Sequence, residues 1–199
     1  MSAILTSLRN TVIASVVLAL VIFTLLILTG QAQTGYGMAF FAFVFRLLHV
    51  VSGVMWIGLL WYFNFVQIPS MPKIPDEQKP AIGKVIAPEA LFWFRWAAMA
   101  TLITGLIVAH LNGYMVDALL LGSQTGQATF IGIGMWIALI MWFNVWFVIW
   151  PNQKKALGIV QVEPDVKAKA ARTAMLFSRT NTILSVPMLL CMVAQSHLG

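Results

Sequence analysis

Five long apolar segments constrain this sequence more than any other feature. Each has roughly the 20 residues that an α-helix needs to cross the hydrocarbon core of a bilayer. They cover residues 11–30, 38–67, 90–111, 130–150 and 173–197. Only 9% of the chain is charged, against roughly 25% in ordinary soluble domains. We therefore predict an all-α membrane protein with five transmembrane helices, forming a single integral membrane domain over residues 1–199.

The first segment resembles a signal peptide in its position but not in its length. Its apolar run is about 20 residues long, whereas the apolar region of a signal peptide has roughly 7–15. No convincing small-x-small cleavage site follows it. We interpret this segment as a retained transmembrane helix.

The basic residues predict the orientation in the membrane. Nine of the twelve Lys and Arg residues lie before the first segment, between the second and third, or between the fourth and fifth. The loops at 31–36 and 112–129 contain none. By the positive-inside rule, we expect the N-terminus in the cytoplasm and the C-terminus in the periplasm of a bacterial inner membrane. This asymmetry accounts for the net charge of +6, so no nucleic-acid partner is predicted.

Two aromatic stretches indicate an internal repeat. The sequence WIGLLWYFNF at 56–65 resembles WIALIMWFNV at 136–145, and the offset aligns Asn64 with Asn144. Parallel repeats related by an axis along the membrane normal occur in membrane proteins. We predict a four-helix bundle of two related hairpins, with the N-terminal helix added to it. The alternative is chance similarity between two aromatic-rich helices.

One face of the second segment carries all of its unusual residues. At 100° per residue, the residues that lie within about 60° of His49 on the helix surface include Arg46, Gly53, Trp56, Leu60 and Asn64. Ionisable side chains inside a bilayer usually face the bundle interior and mark function.

The depth of two histidines predicts a cofactor site. If Asn64 and Arg95 lie at one level in antiparallel helices, each helix places a histidine fifteen residues further out, or about 22 Å. These two residues, His49 and His110, are then level on facing helices. Bundle cores commonly hold cofactors between such side chains. We predict a b-type haem with His49 as one axial ligand and His110 as the second.

Three neighbours of His49 complete the predicted haem site. Gly53, one turn below, leaves room for a flat macrocycle, and Trp56 lies on the same face. Arg46, one turn above, is placed to pair with a haem propionate. Other interpretations remain open. His49 is equally explained as a neutral imidazole bonded to a neighbouring helix, His110 as an interfacial residue, and Arg46 as a snorkelling or ion-paired side chain.

A second polar cluster is expected in the cytoplasmic half of the membrane. Its members are Asn64, Arg95, Asn144 and Arg179. Buried polar groups need partners that lipid does not supply, so asparagine amides and backbone carbonyls are the natural acceptors for the arginines. We interpret this cluster as structural. The alternative is a pocket for an anion or a quinone.

Three motifs together resemble a known family. The stretches RLLHVVSGVMWIGLLWYFNF, FRWAAMATLITGL and FNVWFVIWPNQKK occur in the order found in the membrane domain of the PuuD-type urate hydroxylase, the urate oxidase N-terminal family. The resemblance covers residues 38–195 and implies a membrane protein tied to electron transfer. In the full-length family enzyme, a C-terminal cytochrome c domain is thought to receive the electrons. The sequence here contains no CxxCH motif and is shorter than the family's full set of membrane helices.

The leading hypothesis is therefore an inner-membrane electron-transfer subunit that binds one b-type haem. A separate cytochrome c or other subunits of a membrane complex are its expected partners, and lipid surrounds it. The alternative is a cofactor-free accessory subunit that packs against a respiratory or other membrane complex through its aromatic side chains. A urate-oxidising enzyme that acts alone is a third possibility.

Overall fold

The computed structural model describes residues 2–32 and 37–198, and these residues form helices without any β-strand. Among them, five helices are long and apolar enough to cross a membrane. They are α1 (Leu8–Leu28), α2 (Met38–Lys73), α3 (Lys79–Leu111), α5 (Thr129–Ala156) and α6 (Pro164–Leu198), with the short α4 (Met115–Leu119) before α5. A single helical turn, Ser2–Leu5, precedes α1. The predicted all-α membrane fold is confirmed. Residues 33–36 of the predicted first loop lie outside the described residues.

Contacts between residues divide the chain into two compact units, Met1–Phe41 and Ala42–Gly199. In the first unit, α1 begins after Ser7, whose hydroxyl oxygen accepts a hydrogen bond from the Asn10 N–H at 3.5 Å. No residue of α1 is buried. The second unit contains both hydrophobic cores. The single membrane domain remains a prediction.

The helices α2, α3 and α5 run further than the apolar segments predict. Residues 68–90 are rich in proline and charge, yet only residues 74–78 separate α2 from α3. The basic stretch 164–172 extends α6, as expected from its sequence.

Prolines explain three π-helical turns within these helices. The turns are Tyr62–Gln67, Ile82–Ile86 and Asn144–Ile149. The prolines that follow them are Pro69, Pro88 and Pro151. A proline lacks the N–H donor, and its ring clashes with the carbonyl four residues earlier. In each case that carbonyl belongs to the π-helical turn, where the wider winding makes room for the ring.

The four long helices of the second unit share a tightly packed core. Its largest fully buried side chains include Trp56, Leu60, Phe94, Met141 and Ile149. Phe63 meets Phe94 edge-to-face with ring centroids 5.8 Å apart. We call this end of the bundle the basic end, because Lys73, Lys84, Lys154 and Lys167 lie on the segments that leave it.

A folded cap closes part of the opposite end, which we call the distal end and which carries residues 112–128. The helix α4 lies against α5 because Gly132 has no side chain, since a Cβ there would clash with the Ala118 carbonyl oxygen. The Trp136 indole N–H also donates to the Leu119 carbonyl oxygen at 3.0 Å. The apolar piece expected inside a simple loop is thus a helix fixed to the bundle.

The distal half of α2 is the least buried part of the second unit. Only 6% of the apolar window of α2 is buried, against 39% in α3 and 33% in α5. Its outward side chains are aliphatic, including Leu47, Val50, Val51 and Val54. Such a surface suits contact with lipid acyl chains.

The Gly132→Ala variant tests the attachment of the cap. The added Cβ meets a backbone carbonyl that cannot rotate away, so we expect a loss of about 1–3 kcal/mol, typical of overpacking. Thermal unfolding in detergent micelles measures it. Gly58→Ala is the matched control, because a Cβ at Gly58 meets nothing within 4 Å. Equal melting temperatures for the two variants would contradict the close approach.

Candidate functional site

His49 on α2 is held by the backbone of α3. Its Nδ1 lies 2.9 Å from the Thr101 carbonyl oxygen and 3.5 Å from the Thr104 hydroxyl. A carbonyl oxygen only accepts, so Nδ1 carries the proton and Nε2 of the neutral ring keeps its lone pair. The half-buried imidazole is therefore fixed in one tautomer, with its second nitrogen available as an acceptor or metal ligand.

Gly105 makes room for this imidazole. A Cβ at Gly105 would lie 2.8 Å from His49 Cε1 and 3.0 Å from Nδ1. Real side chains essentially never come so close, so any larger residue would move the ring away from Thr101. The glycine is a packing requirement of the histidine site that the sequence alone did not reveal.

The structure does not bring His110 to the same depth as His49. His49 meets α3 between Thr101 and Gly105, whereas His110 lies five residues beyond Gly105, or about 8 Å along the helix. The His110 side chain is exposed. The register of α2 on α3 therefore separates the two histidines that the sequence placed together.

The other predicted haem contacts lie in different surroundings. Trp56 is 1% exposed within the core at the basic end. A Cβ at Gly53 would be 3.9 Å from the Thr101 methyl group, so α3 occupies the space expected for a macrocycle. Arg46 is exposed, and its Nη2 donates to Asn112 Oδ1 at 3.4 Å.

The asparagines of the predicted second cluster bind α6 rather than the arginines. Asn64 Nδ2 donates to Leu60 O at 2.9 Å and to Ser178 Oγ at 2.8 Å. Asn144 Nδ2 donates to Asn181 Oδ1 at 2.8 Å. The amide of Asn181, which is fully buried, donates in turn to Met141 O on α5 at 2.9 Å. These contacts fit the structural interpretation of the cluster.

The two arginines of that cluster lie apart from the asparagines. The Arg95 guanidinium carbon is 3.2 Å from the centre of the Trp150 ring, a cation–π contact between α3 and α5. Its Nε is buried without a partner among the described residues. Arg179 is exposed. The sequence grouped four residues, and the structure divides them into an asparagine network, a stacked arginine and an exposed arginine.

A polar cavity at the distal end was not found by sequence reasoning. It has a volume of about 350 Å³ and lies between the cap, α5 and α6. Its polar walls include Asn112, Tyr114, Asp117, Thr125, Gln127 and Gln195. The polar run GSQTGQAT at 122–129 and the glutamine near the end of the fifth segment were the available signals.

Two polar side chains shape this cavity, the half-buried Gln195 and the buried Asp117. Gln195 accepts a hydrogen bond from Ile131 N at 3.0 Å and donates to Gln127 O at 2.7 Å, which joins α6 to the start of α5. Asp117 accepts from the Gln124 N–H at 2.9 Å, the Thr125 N–H at 3.3 Å and the Thr125 hydroxyl. The Thr125 hydroxyl and these N–H groups hold the pKa of the Asp117 carboxyl below its usual range, although burial acts in the opposite direction.

The fold and these polar sites define a helical membrane protein whose last four membrane-spanning helices are joined at one end and carry a polar cavity at the other. Residues 107–198, just under half of the chain, match the family model described as urate oxidase N-terminal. Over this segment the chain is similar to the urate oxidase N-terminal family, in agreement with the resemblance seen in its sequence. No curated protein and no solved structure matches the chain.

The match includes only one of the three motifs on which the resemblance rests. FNVWFVIWPNQKK, at 143–155, lies within residues 107–198. The other two motifs, at 46–65 and 94–106, lie before it. The matched residues 107–198 therefore include the cap, α5 and α6, and with them all the residues that line the distal cavity.

A double-mutant cycle tests the asparagine network. Asn181→Ala leaves Asn144 Nδ2 and one hydrogen bond of Met141 O unpaired, so we expect a loss of about 1–3 kcal/mol. The coupling between Asn144→Ala and Asn181→Ala is expected near 0.6 and below about 1.7 kcal/mol, as for other hydrogen bonds between membrane helices. Equilibrium unfolding in mixed micelles measures both quantities. Thr180→Ala, at an exposed position beside Asn181, is the control, and a coupling of zero would contradict a direct bond.

A titration tests the hydrogen bonds to Asp117. Because its carboxyl has a lower pKa when folded, the stabilisation is complete above the unfolded value of about 3.9 and is lost as the pH falls through the folded value. Thr125→Val removes the largest cause and should raise the pKa of Asp117, as followed by carboxyl NMR. Thr173→Val, on a distant part of α6, should leave it unchanged. An Asp117 pKa unaffected by Thr125→Val would show that the hydroxyl is not responsible.

Proposed function

We propose that this protein is a membrane electron-transfer subunit in which His49 is an axial ligand of one b-type haem. The observation that carries this proposal is the orientation of His49, whose Nδ1 lies 2.9 Å from the Thr101 carbonyl oxygen. Histidines that bind metals usually donate their other ring N–H to a carbonyl or carboxylate, which fixes the tautomer and increases the basicity of the ligating nitrogen.

The surroundings of His49 fit a haem ligand in two further respects. The imidazole lies within a membrane-spanning helix, where an unpaired polar nitrogen is costly unless it has a function. Gly105 and the Thr101 carbonyl hold the ring from the α3 side. A bound haem would supply one-electron transfer, and this chain would supply the ligand, its orientation and an apolar environment.

The proposal assigns one ligand of this chain to the iron. His110 lies too far along α3 to reach the same atom, and Gly53 is packed against α3. Neither residue is therefore used, and Trp56 belongs to the core. A haem with one protein histidine has a spectrum different from that of a haem with two, so the ligand number is measurable.

The family supports a redox role. The matched family is named after urate oxidase, and an enzyme that oxidises its substrate must pass the electrons to an acceptor. We place this chain on the path of those electrons, with a separate cytochrome c or another subunit of a complex as the next carrier. The cytoplasmic N-terminus and the bacterial inner membrane are part of the same proposal.

The reduced-minus-oxidised visible spectrum of the purified protein tests the proposal. We expect a haem signal that is abolished in His49→Ala and weakened or shifted in Gly105→Ala, because the added methyl group displaces the imidazole. His110→Ala and Gly58→Ala should keep the wild-type spectrum. A signal that survives His49→Ala, or a colourless protein of high purity after expression with added haem precursor, would overturn the assignment.

A second candidate function is a cofactor-free accessory subunit of a membrane complex. The observation that favours it is the exposed distal half of α2, since only 6% of the apolar window of this helix is buried. A helix so little buried within its own chain is free to pack against another subunit. A colourless protein that remains bound to a larger assembly through gentle purification would support this function and exclude the first.

A further inference from the structure

We propose that the distal cavity is a binding site for a small organic carboxylate, a monoanion that reaches it from the aqueous phase. The site goes beyond the proposed haem ligand, because it uses neither His49 nor its neighbours on α3. The inference rests on the juxtaposition of a cavity of about 350 Å³ with an arginine at its edge and hydrogen-bond donors on its walls. This volume is in the range of small-molecule sites.

The charge at the edge of the cavity is positive and lacks an acidic partner. Arg46 reaches the cavity wall through Asn112, with a long bond of 3.4 Å to a neutral amide oxygen. Within residues 2–32 and 37–198, the one ion pair joins Lys79 to Asp76. The Arg46 guanidinium therefore retains most of its donors for an anion, and a carboxylate is the planar group that it pairs with best.

The one acidic group in the wall does not oppose this assignment. Asp117 already accepts three hydrogen bonds from the cap. Its carboxylate oxygens are thereby directed into the cap as a structural element. Most of the acceptor capacity of the Asp117 carboxylate is therefore used within the cap.

Three of the remaining polar side chains in the wall have a donor free for a ligand. Burial raises the pKa of the Tyr114 phenol above its ordinary value, against the opposing effect of Arg46, so the hydroxyl is protonated at neutral pH. The described residues provide no acceptor for this hydroxyl, whereas Asn112 and Gln195 each use one amide N–H in bonds to the backbone and keep a second. The Tyr114 hydroxyl and these two amide N–H groups can donate to the oxygens of a bound carboxylate, which only accept hydrogen bonds.

The apolar part of the wall indicates that the ligand also has an apolar group besides its carboxylate. Ala128, the last residue of the cap, and Ile131, near the start of α5, line the cavity beside the polar groups. They offer a surface for a small ring or alkyl group while the carboxylate faces Arg46. A small carboxylate with an apolar body is thus better matched than an inorganic anion or a cation.

Equilibrium dialysis of the detergent-solubilised full chain tests the proposal with three probes of one shape. These probes are radiolabelled benzoate, benzamide and benzamidine, which carry a negative, zero and positive charge. We expect benzoate to bind about tenfold or more tightly than benzamide, as a charge-assisted hydrogen bond predicts, and benzamidine not to bind. In Arg46→Gln the preference for benzoate should fall to within about threefold.

Three further variants separate binding from folding. Arg179→Gln removes another exposed arginine at the basic end and should keep wild-type benzoate binding, whereas Tyr114→Phe should weaken it several-fold. Arg46→Lys keeps the charge and should retain part of the preference, which excludes simple misfolding. Equal binding of benzoate and benzamide to the wild type, no binding of benzoate at all, or benzoate binding unchanged in Arg46→Gln would each overturn the proposal.

Discussion

The bilayer offers no hydrogen-bond partners, and this constraint explains most of the polar structure inside this protein. Prolines near the basic end of α2, α3 and α5 force the helices to widen into π-helical turns, which disturbs the regular pairing of backbone groups. Asparagines then supply additional donors close to two of these turns. Asn64 bonds to Leu60 O, and Asn181 bonds to Met141 O. At two places in the bundle, the arrangement is therefore the same: a proline follows a π-helical turn, and an asparagine donates to a backbone carbonyl close to that turn.

That arrangement also joins the bundle at one end. Both asparagine networks reach α6, through Ser178 and through the bond between Asn144 and Asn181. The large buried side chains fill the same level, where Phe63 meets Phe94. With the helices fixed at the basic end, the distal half of α2 is left exposed, and its polar residues meet α3 only through individual side chains. The basic end thus holds the helices together, whereas His49 and the distal cavity, the two sites that we propose, lie towards the distal end.

The sequence predicted the elements that depend on local pattern. Five apolar segments became five long helices, and the basic stretch 164–172 became part of α6. The structural interpretation of the asparagines was also accessible, because buried amides in lipid need partners. The extra helical turns around Pro69 and Pro88 were missed, because prolines and charges usually mark a loop and the π-helical turns that accommodate them leave no pattern of their own.

Relations between helices were harder to predict. The predicted depth of His49 against α3 assumes two straight helices with a symmetric connection. Both helices instead contain π-helical turns, and His49 meets α3 at Thr101 and Gly105. The distal cavity depends on contacts across the whole chain, such as Gln195 with Ile131 and Gln127. The aligned repeat also did not predict which residues pack against other helices. Trp56 is buried, whereas its counterpart Trp136 is 46% exposed and donates to the cap.

The polar face of α2 is therefore best understood as two sites rather than one. Arg46 and His49 are less than one turn apart, yet His49 contacts the backbone of α3 near Thr101 while Arg46 reaches Asn112 at the end of that helix. An imidazole with one fixed proton suits a metal, and a guanidinium with free donors suits an anion. Both residues lie on the same exposed half of α2, so one helix carries the two sites although each meets a different part of the bundle.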